Sequence, residues 1–229
     1  MNLILQTIPS TIISELLANS HFDGIVLDTE HGCFNNESLY SCIQVVTLYK
    51  KLCFVRFTDL NKQLIRMCLD AGISGAIFST VETYEIGRQI VRYCRYPLCQ
   101  GDRGCGLVRE NQWGELKLGT NKTILIGQIE TKNGVDNIDE ILDCGFDMFV
   151  IGPYDLSNSL NCAGNWDDVL YKSYISEIYY KIELNKLGLF LPTKKMIENF
   201  KQSNQKRPEL LIWGMDTDFI KEGINSINF

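Results

Sequence analysis

Short apolar runs alternating with helical stretches along the whole chain constrain its fold more than any other feature. The first four are Leu3-Ile4-Leu5, Gly24-Ile25-Val26-Leu27-Asp28, Cys53-Phe54-Val55-Arg56-Phe57 and Gly75-Ala76-Ile77-Phe78. Ile124-Leu125-Ile126-Gly127-Gln128-Ile129, Met148-Phe149-Val150-Ile151, the run from Gly188 to Leu191 and Leu210-Leu211-Ile212-Trp213 complete the set. Near-continuous apolar strands of this length mark a parallel sheet buried on both faces. Between them the pattern predicts a helix opened by Pro9-Ser10 and running to about Asn19. A second starts at Asn36 with Leu39, Ile43, Val46 and Tyr49 on one face. Others run from Asn61 to Ala71, closed by Gly72 as a C-terminal cap, and from Glu82 to Cys94. A short helical segment follows Glu130, then come helices from Asp167 to Leu187, Thr193 to Lys201 and Thr217 to Ile227. Eight strands alternating with eight helices predict a TIM (β/α)8 barrel. An open doubly wound sheet would want a glycine-rich phosphate fingerprint after the first strand, and none is present.

At 229 residues and 45% hydrophobic content the chain can bury one substantial core, so residues 1–229 are expected to form one domain. A net charge of -6 without a basic block argues against nucleic acid as a partner. The apolar runs are too short for a membrane span, and the N-terminus lacks the layout of a signal peptide. The nine cysteines have no paired spacing, which suits reduced thiols in a cytoplasm. Most are expected to act as small core hydrophobes. Residues 95–122, with Pro97, Gly101, Gly104, Gly106, Gly114 and Gly119, read as one long irregular connection, which in a barrel of this size is usually functional.

Barrel active sites lie at the C-terminal strand ends, and the polar residues there suggest a chemistry. Glu130 and Asp155 each stand just past an apolar run, on neighbouring strands of one βαβ unit. Two acids brought together repel, so such a pair shares a cation or a proton. With no His or Cys beside either, oxygen ligation points to a hard ion such as Mg2+ or Mn2+. The alternative is that both are helix N-caps. Asp28-Thr29-Glu30-His31 ends the second strand, and His31 is either structural or a proton carrier. Arg56 lies inside an apolar strand, where it needs an anion, either a structural carboxylate or a substrate. Gly152-Pro153-Tyr154 leads into a helical start whose free N–H groups suit a carboxylate. A metal, an arginine, an anion site and a base together suit binding of a 2-oxo acid and stabilisation of its enolate.

Several motifs then fall in a known order. D-T-E-H-G, V-R-F, L-D-A-G, V-E-T, R-Y-P-L-C-Q-G-D-R-G, Q-I-E-T and G-P-Y-D-L-S, from about Phe22 to Asp216, resemble the HpcH/HpaI aldolases, metal-dependent pyruvate aldolases typified by 4-hydroxy-2-oxoheptanedioate aldolase. The resemblance implies cleavage of a 4-hydroxy-2-oxo acid to pyruvate and an aldehyde with a divalent cation, Mg2+, Mn2+ or Co2+. It implies that Glu130 and Asp155 bind the metal, and that Gln128, the backbone of Tyr154 and Asp155 contact substrate. His31 would be the proton acceptor, Arg56 the transition-state stabiliser, and Asp70 the aspartate that raises the basicity of that histidine. In a barrel Asp70 falls near the rim away from its own site, so the resemblance implies a homo-oligomer in which it reaches a neighbour's His31. Arg103 would sit near the far end of the aldehyde.

The chain departs from the family pattern at Phe57-Thr58 and Leu98, where prolines are usual, in a shorter stretch between Gly106 and Thr123, and in a final helix that stops early. None of these removes a ligand. They bear on aldehyde specificity and on the oligomer. Two other readings stay open: a related lyase or decarboxylase on another 2-oxo acid, and an inactive barrel serving as a binding subunit.

Overall fold

The computed structural model describes residues 1–117, 123–203 and 206–227. Eight parallel strands close into a barrel in sequence order: β1 (Asn2–Gln6), β2 (Gly24–Asp28), β3 (Leu52–Phe57), β4 (Gly75–Phe78), β5 (Ile124–Ile129), β6 (Met148–Ile151), β7 (Leu187–Leu191) and β8 (Leu210–Met215). The first and last strands pair, Asn2 with Leu211 and Leu3 with Ile212, and this seam closes the ring.

Helices α1 (Thr11–Ala18), α2 (Asn36–Leu48), α3 (Lys62–Asp70) and α4 (Tyr84–Cys94) follow the first four strands. The starts of α2, α3 and α4 are set by short polar side chains that accept a first-turn N–H. Asn35 accepts from Ser38, Asn61 from Leu64 and Thr83 from Ile86. Gly72, at φ +83°, ends α3 as the sequence predicts. Between β5 and β6 the predicted short helix is two, α5 (Lys132–Asp136) and α6 (Ile138–Leu142), broken at Asn137. After β6 come α7 (Pro153–Ser159) and α8 (Val169–Lys181), then α9 (Lys194–Gln202) after β7 and α10 (Asp216–Asn225) after β8.

The predicted helix from Asp167 to Leu187 is shorter at both ends. Asp168 caps its start, and Ile182 turns extended. Leu187, fully buried, is drawn instead into the β6 ladder opposite Phe149. The irregular stretch also gains structure, with 3-10 turns at Pro97–Cys99 and Arg109–Gly114, while residues 118–122 lie outside the described residues. No helix among the described residues is long and apolar enough to cross a membrane.

Two apolar layers follow from the two-residue period of a strand. One parity faces the helices: Ile25, Leu27, Val55, Leu125, Ile129 and Ile151 pack there with Leu39, Ile43, Ile65 and Ile141. The other fills the barrel with Leu3, Leu5, Val26, Phe54, Ile77, Ile126, Met148, Val150, Leu210 and Ile212. Five of the nine cysteines are buried, as small apolar groups would be, and all nine are unpaired. Burial pushes the Cys144 thiol up to about 11 and the Cys94 thiol up to about 12, so neither is a nucleophile at neutral pH.

Candidate active site

The inward parity of the barrel core, continued toward the C-terminal rim, assigns the site. Leu5 is followed by Thr7, Val26 by Asp28, Phe54 by Arg56, Ile126 by Gln128 and Glu130, and Val150 by Gly152. Each polar residue therefore stands above a core residue on its own strand. A cavity of about 340 Å³ opens over this layer, lined among others by His31, Arg56, Gln128, Tyr154, Asp155 and Phe190. A larger cavity of about 680 Å³, bordered by Ile13, Leu16, Trp213 and Phe219, is apolar and has no such array of charges.

Asp28 and Arg56 are opposite each other in the β2–β3 register. The guanidinium meets the carboxylate fork to fork, Nε to Oδ1 at 2.8 Å and Nη2 to Oδ2 at 2.7 Å. Its Nη1 lies 2.9 Å from Glu30. Arg56 is 5% exposed and Asp28 fully buried. Burial opposes the charge on Arg56, but Asp28 and Glu30 outweigh it and hold the guanidinium above its ordinary pKa. A guanidinium has five N–H donors. Asp28 accepts from two of them, while Glu30 is held by ion pairing alone, its buried Oε2 accepting no hydrogen bond. Within this chain the anionic partners of Arg56 are therefore Asp28 and Glu30.

The turn carrying His31 is tight. Thr29 donates its N–H to the carbonyl of Arg56 and Glu30 donates its own to Asp28. Gly32 closes the turn because a Cβ there would fall 2.2 Å from the Asp28 carbonyl oxygen. His31 itself is exposed and lines the cavity.

Glu130 is 3% exposed, and its Oε1 accepts the Thr80 N–H at 2.6 Å and the Thr80 hydroxyl at 2.9 Å. Its Oε2 accepts from the Gln128 amide. Burial raises the Glu130 carboxyl above its ordinary value, opposed by the hydrogen bonds from Gln128 and Thr80. Gly152 lies against this group: a Cβ there would come 2.7 Å from Oε2. Asp155 is exposed, in the first turn of α7, next to Tyr154. The N-cap alternative fails for Glu130, since Thr131 caps α5, and for Asp155, which lies inside α7.

Asp70 stands elsewhere. It ends α3, just before the N-terminal end of β4, on the rim opposite the cavity. There it pairs at 2.9 Å with Arg103, which also meets Glu110 at 2.7 Å and stacks on Tyr96. Arg103 thus stands beside Asp70 on the rim away from this chain's own cavity. Its loop turns back beneath the barrel, where the Tyr96 ring and the carboxylates of Asp70 and Glu110 hold its guanidinium. Sequence reading also missed the roles of Asp28, Glu30 and Thr80, and the cavity residues Thr7, Thr193 and Asp218. Strand parity could have found Asp28 and Thr7; nothing local marks Thr80.

The donor set suits a hard divalent cation. Asp28, Glu30, Glu130, Asp155 and Asp218 stand in or beside the cavity against the one guanidinium of Arg56. That excess of negative charge is unfavourable without a cation. Glu130 and Asp155 supply oxygen donors only, and no group of three or more His, Cys, Asp or Glu able to hold a metal occurs among the described residues. A cation held by two carboxylates keeps positions for other oxygen ligands.

The profile of the HpcH/HpaI aldolase/citrate lyase family matches residues 9–203. This chain belongs to that family. A 2-keto-3-deoxy-L-rhamnonate aldolase of Escherichia coli is 36% identical over 160 residues, covering 67% of this chain and 60% of that protein. The matched stretch thus spans about 60% of that relative's length. Among solved structures, an HpcH/HpaI family protein from Burkholderia cenocepacia J2315 superposes with TM-score 0.86 at 21% identity, covering 98% of this chain and 91% of that one. This likeness concerns the fold. The citrate synthase SbnG superposes with TM-score 0.82 at 26% identity over 98% of this chain and 90% of its own. The family's barrel and this chain's are the same architecture.

Proposed function

We propose that the protein is a divalent-metal-dependent carbon–carbon lyase that reversibly cleaves a 4-hydroxy-2-oxo acid to pyruvate and an aldehyde. The observation that carries this reading is the charge array at the cavity, several carboxylates about a single buried guanidinium that lines it. Family membership and the likeness to a 2-keto-3-deoxy-L-rhamnonate aldolase support it.

Glu130 and Asp155 would hold Mg2+, Mn2+ or Co2+. The bound ion would supply Lewis acidity at the 2-oxo and carboxylate oxygens of the substrate. Gln128 offers its amide, and the first-turn N–H groups of Tyr154 and Asp155 have no intrahelical acceptor and suit the substrate carboxylate. Arg56, which lines the cavity, would offer its guanidinium to the oxygen that becomes negative as the carbon–carbon bond breaks. Because Asp28 and Glu30 already fix the guanidinium, no reorganisation is needed at that moment. His31 takes the proton of the 4-hydroxyl and returns it in the synthetic direction. Asp70 would act on His31 only between copies, from the rim where Arg103 holds it, in a homo-oligomer. Unpaired thiols suit a reducing, cytoplasmic setting.

The test uses proton NMR in heavy water. Chelator-stripped protein given pyruvate and Mn2+ should exchange the methyl protons, and metal-free protein should not. Exchange no faster than a Mn2+ blank would sink the aldolase reading and favour a binding subunit. A second reading, another 2-oxo acid handled through the same enolate chemistry, is favoured by the likeness to a citrate synthase. Exchange of a longer 2-oxo acid but not of pyruvate would select it.

The aldehyde side is proposed to favour uncharged aldehydes. In a closed ring of eight strands, β1 and β8 stand across from β5 and Glu130. The cavity residues on that side are Thr7, Met215 and Asp218, with no cation among them. A carboxylate-bearing aldehyde would meet Asp218, and like charges so placed are repelled. Asp218→Asn should narrow the preference for neutral over carboxylated aldehydes about tenfold in kcat/KM. An unchanged ratio would remove Asp218 from specificity.

A further inference from the structure

We propose that Thr80 is a positioning residue for Glu130: it fills one carboxylate oxygen and leaves the other to receive the cation. This rests on the metal reading above. The corner after β4 is tied on both sides, with the Ser79 N–H donating to the Phe57 carbonyl at 3.0 Å and the Val81 N–H to the Gln128 carbonyl at 3.3 Å. Thr80, between them, is exposed and held at φ +54°. A β-branched residue is unfavourable in that left-handed region, where glycine or asparagine would be relaxed. Packing does not explain a threonine at an exposed, strained position.

Its two hydrogen bonds do. The N–H and the hydroxyl both donate to Glu130 Oε1, at 2.6 and 2.9 Å. A carboxylate oxygen has room for about two donors. Oε1 is therefore filled, whereas Oε2 accepts from Gln128 alone and lies against Gly152, a cavity-lining residue whose missing side chain leaves it uncovered on that side. The carboxylate cannot rotate without breaking both Thr80 bonds. Oε2 is thus the ligating oxygen, and the Thr80 hydroxyl fixes its direction. Glycine at this position would keep the N–H and lose the hydroxyl, which makes the hydroxyl's part separable from the backbone's.

The experiment measures Mn2+ binding to the chelator-stripped full chain, from the electron paramagnetic resonance signal of free Mn2+, alongside Tm without metal. Thr80→Gly should weaken Mn2+ binding about tenfold or more, the range seen when groups supporting a metal ligand are removed. Its metal-free Tm reports on folding separately, because relief of the backbone strain and loss of the hydroxyl bond to Glu130 act in opposite directions. Thr80→Ser keeps the hydroxyl and should bind within about twofold of wild type. Wild-type affinity in Thr80→Gly, or a Ser variant as weak as Gly, overturns the proposal. Glu130→Gln is the separate control. If it keeps wild-type Mn2+ affinity, the metal reading itself fails, whatever Thr80 does.

Discussion

Arg56→Lys is expected to leave the protein folded and to slow Mn2+-dependent exchange of the pyruvate methyl protons about a hundredfold to a thousandfold. An ammonium is a point charge. It cannot engage Asp28 fork to fork, reach Glu30 and still direct donors at a substrate oxygen. Arg56→Ala goes further. It strands the Asp28 carboxylate, which is fully buried, and breaking such a pair costs about 3–5 kcal/mol. For a chain of this size each kcal/mol moves Tm by roughly 2–4 °C, so the Ala variant should melt about 6–20 °C lower. Thermal melts and proton NMR on the two variants separate scaffold from chemistry. A lysine variant exchanging at the wild-type rate would show that Arg56 serves the scaffold alone.

Arg103→Ala should also be strongly destabilising, yet without selectivity among aldehydes. The guanidinium is 4% exposed, stacked 4.4 Å from the Tyr96 ring centroid and bonded to Asp70 and Glu110. Glu110 is itself 8% exposed and accepts from the Tyr96 hydroxyl. Removing the cation takes charge compensation out of a dry cluster, at a cost of about 3 kcal/mol or more. Tm should fall by roughly 6 °C at least. The ratio of kcat/KM for carboxylated and neutral aldehydes should stay as in wild type. A selective loss of carboxylated aldehydes would mean that the loop reaches a substrate, in a neighbouring copy if not in its own.

How much of this was legible in the sequence depends on how local the cause is. The strands could be read because burial on both faces leaves them apolar from end to end, and their order around the ring follows from right-handed crossovers. Glu130 and Asp155 could be located because each follows directly on such a run. The pairing of Arg56 with Asp28 needed one more step, the recognition that both share the inward parity of adjacent strands. The placement of Arg103 beside Asp70 was not legible, for a different reason. A connection of irregular backbone carries no period, so nothing in residues 95–117 says whether the loop turns over the barrel or under it. That is decided in part by Asp70, thirty-three residues from Arg103. Thr80 was invisible on the same ground: its partner is fifty residues away.

The β1–β8 seam sets an order of events in time. Asp216 accepts hydrogen bonds from the Thr7 N–H, the Thr7 hydroxyl and the Ile8 N–H, so the first and last corners of the chain are fastened to each other. During synthesis at about 5–20 residues per second, β1 waits roughly 10–40 s for its partner. Until then the nascent sheet has two open edges, at β1 and at whichever strand has last emerged. Unpaired edges recruit other chains. The ring therefore becomes safe from such pairing only when its last strand arrives, and translational pauses ahead of Leu210 would lengthen the hazard.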